Sequence, residues 1–111
     1  MEKLFEIKFL DDAFEFLKKL DRKHYEKILY NIRKVQSSQD AELFKKLKDD
    51  IWEFRTLFSG NQYRLLAFWD KRNSIETLVI ATHGFIKKRN EVPEKEIQKA
   101  KQLKEKYFSI K

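Results

Sequence analysis

Residues 51–70, IWEFRTLFSGNQYRLLAFWD, place large apolar side chains at alternate positions on both sides of SGN. Successive side chains of a strand point to opposite faces, so the pattern specifies a two-stranded hairpin. A two-residue Gly60–Asn61 loop sets Phe58 opposite Tyr63 and Leu57 opposite Arg64. Trp52, Phe54, Thr56 and Phe58 then share a core-forming face with Tyr63, Leu65, Ala67 and Trp69. The other face carries Glu53, Arg55, Leu57, Gln62, Arg64, Leu66 and Phe68. There Arg55 and Arg64 become diagonal neighbours, within reach of one anion. A slip of one residue would scatter the aromatic set, so the apolar pattern supports the pairing parity. Arginine stays charged at physiological pH and is rarely buried without a partner. Taken alone, the hairpin favours a plain answer, in which Glu53 is the cross-strand counterion of Arg55 or Arg64.

The flanking segments predict the other elements. KLFEIKFL puts Phe5, Ile7 and Phe9 on one side of a first strand. DDAFEFLKKL follows, with Asp11 or Asp12 as a helix cap and Ala13, Phe16, Leu17 and Leu20 as its stripe. Asp21 caps a second, longer helix carrying Tyr25, Ile28, Leu29, Ile32 and Val35, which ends before SSQD. SSQDAELFKKLKDD reads as a connector with one helical turn around Leu43, Phe44 and Leu47. NSIETLVIATHGF is a third strand of the meander, and Pro93, Glu94 and Glu96 open a last helix bearing Ile97, Ala100, Leu103 and Tyr107. The expectation is an α+β fold of order β-α-α-β-β-β-α, a small twisted antiparallel sheet in a single domain over residues 1–111.

The chain has no Cys and only two His, which excludes disulfides and Cys-based metal sites and predicts no metal and no cofactor. MEKLFEIKFLDD alternates and carries acids, unlike a secretion signal, and no apolar run is long enough to span a bilayer. A cytoplasmic protein with no membrane partner is expected. The net charge of +7 favours polyanionic partners.

The third strand runs into THGFIKKRN. An even register sets His83 near Gln62 and Arg64, so that His83, Lys87, Lys88 and Arg89 join the two arginines at one end of the sheet. The plain alternatives are a solvated basic loop and a structural histidine. His24, in a Lys- and Glu-rich turn, is read as a surface residue. Such a cluster suits RNA cleavage by the 2′-hydroxyl. Arginines and lysines neutralise the charge developing on phosphorus, and proton transfer needs a group titrating near neutrality. His83 has that property by default. A desolvated lysine beside other cations is a second route.

LFKKLKDDIWEFRT, YRLLAFWD and ATHGFIKKRNEVPEKEIQKAKQL, taken in order over about residues 43–103, resemble the RelE/ParE toxin superfamily, nearest its HigB-like, phage-derived branch. The resemblance implies a sheet with helices packed on one face and a concave catalytic face on the other. It implies a type II toxin, a metal-independent and ribosome-dependent mRNA endoribonuclease. Its partners would be a cognate antitoxin protein and the ribosome with bound mRNA, and the free toxin would be monomeric. By position, Arg55, Arg64, Lys87 and Lys88 match basic residues that engage the scissile phosphate, with His83 as the proton-transfer candidate. Lys45, Lys46, Lys48 and Arg89 would bind the RNA. Two departures stand out: NEVPEKE lacks the tyrosine that RelE carries after its basic stretch, and DD replaces the usual Gly after the Lys-Lys-Leu segment. Three rival readings are a ParE-like toxin that binds gyrase without nuclease chemistry, a plain RNA-binding module, and a degenerate toxin kept for partner binding. An open edge at the first strand or at the far side of the sheet would accept an antitoxin segment.

Overall fold

A computed structural model describes residues 3–72, 78–88 and 90–110. The elements in chain order are β1 (Glu6–Phe9), α1 (Asp11–Lys18), α2 (Arg22–Ser38), β2 (Phe44–Lys46), β3 (Trp52–Phe58), β4 (Asn61–Trp69), β5 (Leu78–Lys87) and α3 (Glu94–Ser109). This is the expected α+β order with one addition: the connector forms a short strand, β2, where a helical turn was expected. The strands make one sheet in the order β1-β5-β4-β3-β2. All pairings are antiparallel except β1 with β5, which run parallel. The sheet is therefore mixed, and its outer strands are β1 and β2.

The β3–β4 turn is Ser59–Gly60, both with positive φ (51° and 77°), the requirement of a two-residue primed turn. Pairing therefore runs Phe58 with Asn61, Thr56 with Tyr63 and Arg55 with Arg64. This differs by two residues from the register expected with a Gly60–Asn61 loop. A shift of two preserves the face of every side chain, so both face assignments stand. It also sets the two arginines directly opposite each other.

One face of the sheet packs against α1 and α2. Ala13, Leu17, Ile28, Ile32 and Val35 bury against Phe54, Tyr63, Leu65, Ala67, Val79 and Ala81. Helix α1 starts after Leu10, and Asp11 and Asp12 lie in its first turn rather than at the cap, where their charge favours the positive helix end. At Gly84 the Phe16 ring closes onto the strand, and an added Cβ would lie 2.2 Å from its Cδ2.

The helices do not all pack on one face. Ile97 and Ala100 of α3 bury against Ile51, Leu66, Phe68 and Ile80 on the opposite side. The cause is the apolar content of that second face, which needs cover as the first does. Thr82 is the extra residue of a β-bulge: Leu66 pairs with His83, whereas Ala67 pairs with Ala81. Among the described residues no helix is long and apolar enough to cross a membrane.

Candidate functional site

The α3-side face carries a charged cluster toward the hairpin end. The Arg55 N–H donates to Leu43 O at 2.8 Å, away from β4. Arg55 and Arg64 are thus a non-hydrogen-bonded cross-strand pair, the kind with Cα atoms only about 4.5 Å apart. Like charges in that position repel, and Glu53, next on the same face of β3, offsets them. Its carboxylate lies 3.0 Å from Arg64 Nε and 3.9 Å from Arg55 Nε. The Arg64 side chain is 3% exposed and that of Glu53 7%, whereas Arg55 keeps 30%. Arg64 is consumed internally: Nη1 donates to Tyr63 O and Nη2 to Gln62 Oε1, each at 3.1 Å. The close approach of Glu53 Oε1 to Arg64 Nε is poorly aligned, and both atoms, like Arg55 Nε, are buried without a hydrogen bond. Burial pulls the Arg64 pKa down, with Glu53 opposing and Arg55 adding to the fall.

Lys87 pairs with Gln62 across β4–β5 and donates to Asn90 O at 3.1 Å. Burial lowers its pKa first and the positive Arg64 second, with Glu53 opposing and Arg55 adding a little. Lys45 lies opposite Glu53 in β2, on the same face, and is exposed. Lys46 is paired to Trp52, on the other face, and its ammonium meets Asp50 at 3.1 Å. Lys48 meets Glu94 at 2.7 Å and ties the β2–β3 loop to α3. Lys88 is exposed just past β5, and Arg89 lies outside the described residues. Of the residues expected at one site, the fold brings together Arg55, Arg64, Lys87 and Lys45, and sends Lys46 and Lys48 elsewhere.

His83 does not lie beside Gln62 and Arg64. It pairs with Leu66, while Gln62 pairs with Lys87 and Arg64 with Phe85. It is 2% exposed, with Nε2 at 3.0 Å from Glu96 Oε1 and Nδ1 at 3.1 Å from Thr82 Oγ1. Both ring nitrogens are engaged between β5 and α3. Burial lowers its pKa, Glu96 opposes this, and Lys99 adds to the fall. A folded-state pKa below the unfolded value means stability is complete above about pH 6.5 and declines as pH falls through the folded value. His83→Gln should flatten the part of the stability–pH curve below that point, read by urea unfolding at stepped pH. An unchanged curve would refute the assignment. His24 is not a bare surface residue either: its Nδ1 hydrogen-bonds to the Tyr63 hydroxyl and its ring meets Phe58 edge-on at 4.9 Å.

Glu53, expected as the counterion of Arg55 or Arg64, approaches both and organises the cluster. Its signal in the sequence was position alone, two residues before Arg55 and so on the same strand face.

The family described as phage derived protein Gp49-like matches residues 15–105. The chain belongs to that family. No curated protein is similar enough in sequence to match. Among solved structures, this Gp49-like chain is similar to the free E. coli toxin RelE carrying two arginine substitutions, at 20% identity and a TM-score of 0.63, over 92% of this chain and 97% of that one. It is also similar to the intact E. coli RelBE toxin–antitoxin complex, at 18% identity and a TM-score of 0.58, over 77% and 99% of the respective chains. The Mycobacterium tuberculosis RelBE2 toxin–antitoxin complex gives 18% identity and a TM-score of 0.56, over 75% and 98%. The Gp49-like chain thus has the RelE fold.

Proposed function

We propose that this Gp49-like protein is the toxin of a toxin–antitoxin pair and a ribosome-dependent mRNA endoribonuclease, held inactive by a cognate antitoxin. The observation that carries the reading is the cationic face on which Arg55, Lys87 and Lys45 surround the buried Glu53–Arg64 pair. Membership in a phage-derived family and the fold of RelE support it. In this reading Arg55 and Lys87 touch the scissile phosphate, and Lys88 stands beside them. Arg64 and Glu53 are positioning residues, because both side chains are buried, 3% and 7% exposed. Lys87, on the same face beside Arg64, is the proton-transfer candidate of this reading, since both ring nitrogens of the buried His83 are engaged.

Inducible expression of the wild type and of Arg55→Ala with Lys87→Ala tests it, with primer extension on a translated reporter message. Growth arrest with new cuts only in translated message is expected, and the double change should lower cutting by about a hundredfold or more. Arrest without cuts, surviving the double change, would replace this reading with that of a ParE-like binding toxin. The burial of the Arg64 side chain is the observation favouring that alternative.

A further inference from the structure

The outward side of α2 is cationic in a way that the other helices are not. Arg22–Ser38 carries five Lys and Arg and a single acid, Glu26, which Arg22 takes at 3.4 Å. Lys23, Lys27, Tyr30 and Lys34 follow one another at helical spacing, clear of the buried Ile28, Ile32 and Val35. They make one stripe about 16 Å long at 1.5 Å per residue. The other helices neutralise cations of their own: Lys18 meets Glu15 at 3.3 Å, Lys99 meets Asp12 at 3.4 Å and Lys101 meets Asp49 at 3.2 Å. Among the described residues Lys23, Lys27 and Lys34 meet no carboxylate. Lys23 and Lys27 are also like charges one turn apart, an arrangement that weakens a helix. A solvated face gains nothing from it, whereas a bound polyanion removes the repulsion.

Tyr30 distinguishes between polyanions. It is 53% exposed, and the Lys27 ammonium lies over its ring at 4.9 Å. Its hydroxyl has no hydrogen-bond partner among the described residues. The stripe thus sets phosphate-binding groups on both sides of one free hydroxyl. Double-stranded RNA supplies the complement, a wide and shallow minor groove that displays 2′-hydroxyls beside its phosphates. The narrow minor groove of DNA lacks the 2′-hydroxyl, and an acidic peptide offers no ribose.

We propose that the outer stripe of α2 docks on the backbone of double-stranded RNA, with Lys23, Lys27 and Lys34 on phosphates and the Tyr30 hydroxyl on a ribose. Helix α2 packs on the sheet face opposite the one that α3 shares with the Arg55 cluster. The two basic surfaces therefore lie on different sides of the chain and have no residue in common. The docking surface does not depend on cleavage, and its failure would leave the nuclease reading standing.

Fluorescence anisotropy of a labelled, blunt RNA duplex tests it, using the full chain carrying Arg55→Ala and Lys87→Ala to weaken the other basic face. Affinity should fall steeply as salt rises. Adding Lys23→Ala, Lys27→Ala and Lys34→Ala should weaken binding about tenfold or more and reduce the salt slope by about 2–3. Lys8→Ala, Lys95→Ala and Lys106→Ala remove the same charge from other exposed positions and should change affinity less than about twofold. Tyr30→Phe should weaken binding of the RNA duplex several-fold and leave that of a DNA duplex of the same sequence unchanged. Circular dichroism confirms that each variant is folded. Equal losses in the two triple variants would reduce the effect to net charge and overturn the proposal. So would a Tyr30→Phe chain that binds the RNA duplex like its parent, equal affinity for the DNA duplex or for hexauridylate, or equally tight competition by polyglutamate.

Discussion

Glu53→Ala should cost about 3–5 kcal/mol of folding stability, the range for removing one partner of a buried ion pair. The carboxylate is 7% exposed and faces two guanidiniums, one of them 3% exposed. Once it is gone, Arg55 and Arg64 stand opposite each other with no negative charge between them. Arg64 cannot escape by losing its proton, because guanidinium keeps its charge even where burial lowers the pKa. Nor can it swing into water without giving up its bonds to Tyr63 O and Gln62 Oε1. Glu53→Gln should lose less, since the amide oxygen still accepts a hydrogen bond. Replacing both Glu53 and Arg64 with Leu should recover most of the loss, because no charge is then stranded. Urea unfolding of the wild type, Glu53→Leu, Arg64→Leu and the double variant gives the coupling directly. A Glu53→Ala protein within 1 kcal/mol of wild type would show that the carboxylate does not compensate the arginines.

Asp70→Ala should cost roughly 3 kcal/mol, because a single carboxylate fastens the end of β4 to the end of α3. Asp70 is 7% exposed. It accepts the Arg72 backbone N–H at 3.1 Å, Arg72 Nε at 3.1 Å, Arg72 Nη2 at 2.8 Å and the Tyr107 hydroxyl at 2.7 Å. The Arg72 guanidinium also lies over the Tyr107 and Phe108 rings, at 5.3 and 5.1 Å, and both rings pack on Phe68. Loss of the carboxylate therefore loosens an aromatic seam as well as the bonds. Arg72 first, and the Tyr107 hydroxyl after it, hold the Asp70 carboxyl well below the usual range against the opposing effect of burial. A depressed folded-state pKa places this stability above the unfolded value, near pH 4, and removes it as pH falls toward the folded one. Asp70→Asn should be less stable at neutral pH and flatter below pH 4. Thermal melts from pH 7 to pH 2 check both, and a parallel displacement of the whole curve would contradict the linkage.

Apolar alternation was enough to assign the two faces of the hairpin, because the period of two is insensitive to a register shift of two. It was not enough for the pairing itself. Choosing Ser59–Gly60 over Gly60–Asn61 depends on which residues accept positive φ, and Ser, Gly and Asn all do so in turns. The bulk of Leu66 and Phe68 on the second face already called for a cover, and the stripe of Ile97 and Ala100 was the available match. Position in the chain does not say which face a terminal helix crosses, and α3, expected on one face with the other helices, packs on the opposite one. His83 was misplaced because no apolar periodicity runs through the segment before the third strand, so strand alternation alone could not choose the third register. The β-bulge at Thr82 is likewise invisible in composition. The basic residues were recognisable as a group. Their division between two faces followed from strand parity, which puts Lys45 beside Glu53 and Lys46 beside Trp52.

The parallel pairing of β1 with β5 has a consequence for the order in which the chain is made. Glu6 pairs with Leu78 and Phe9 with Ala81, so on a ribosome β1 waits for β5, more than sixty residues later. Until then α1 and α2 can form and meet, and β2, β3 and β4 can build a local meander, yet β1 has no neighbour. Joining ends so distant in sequence carries a loop-closure cost that neighbouring strands avoid. A nascent chain that stops before residue 78 therefore lacks β5, and with it Lys87 and the strand that carries His83 to α3. The cationic face cannot be assembled before β5 is made, so synthesis through Lys87 is built into the topology as a condition for any activity that face supports.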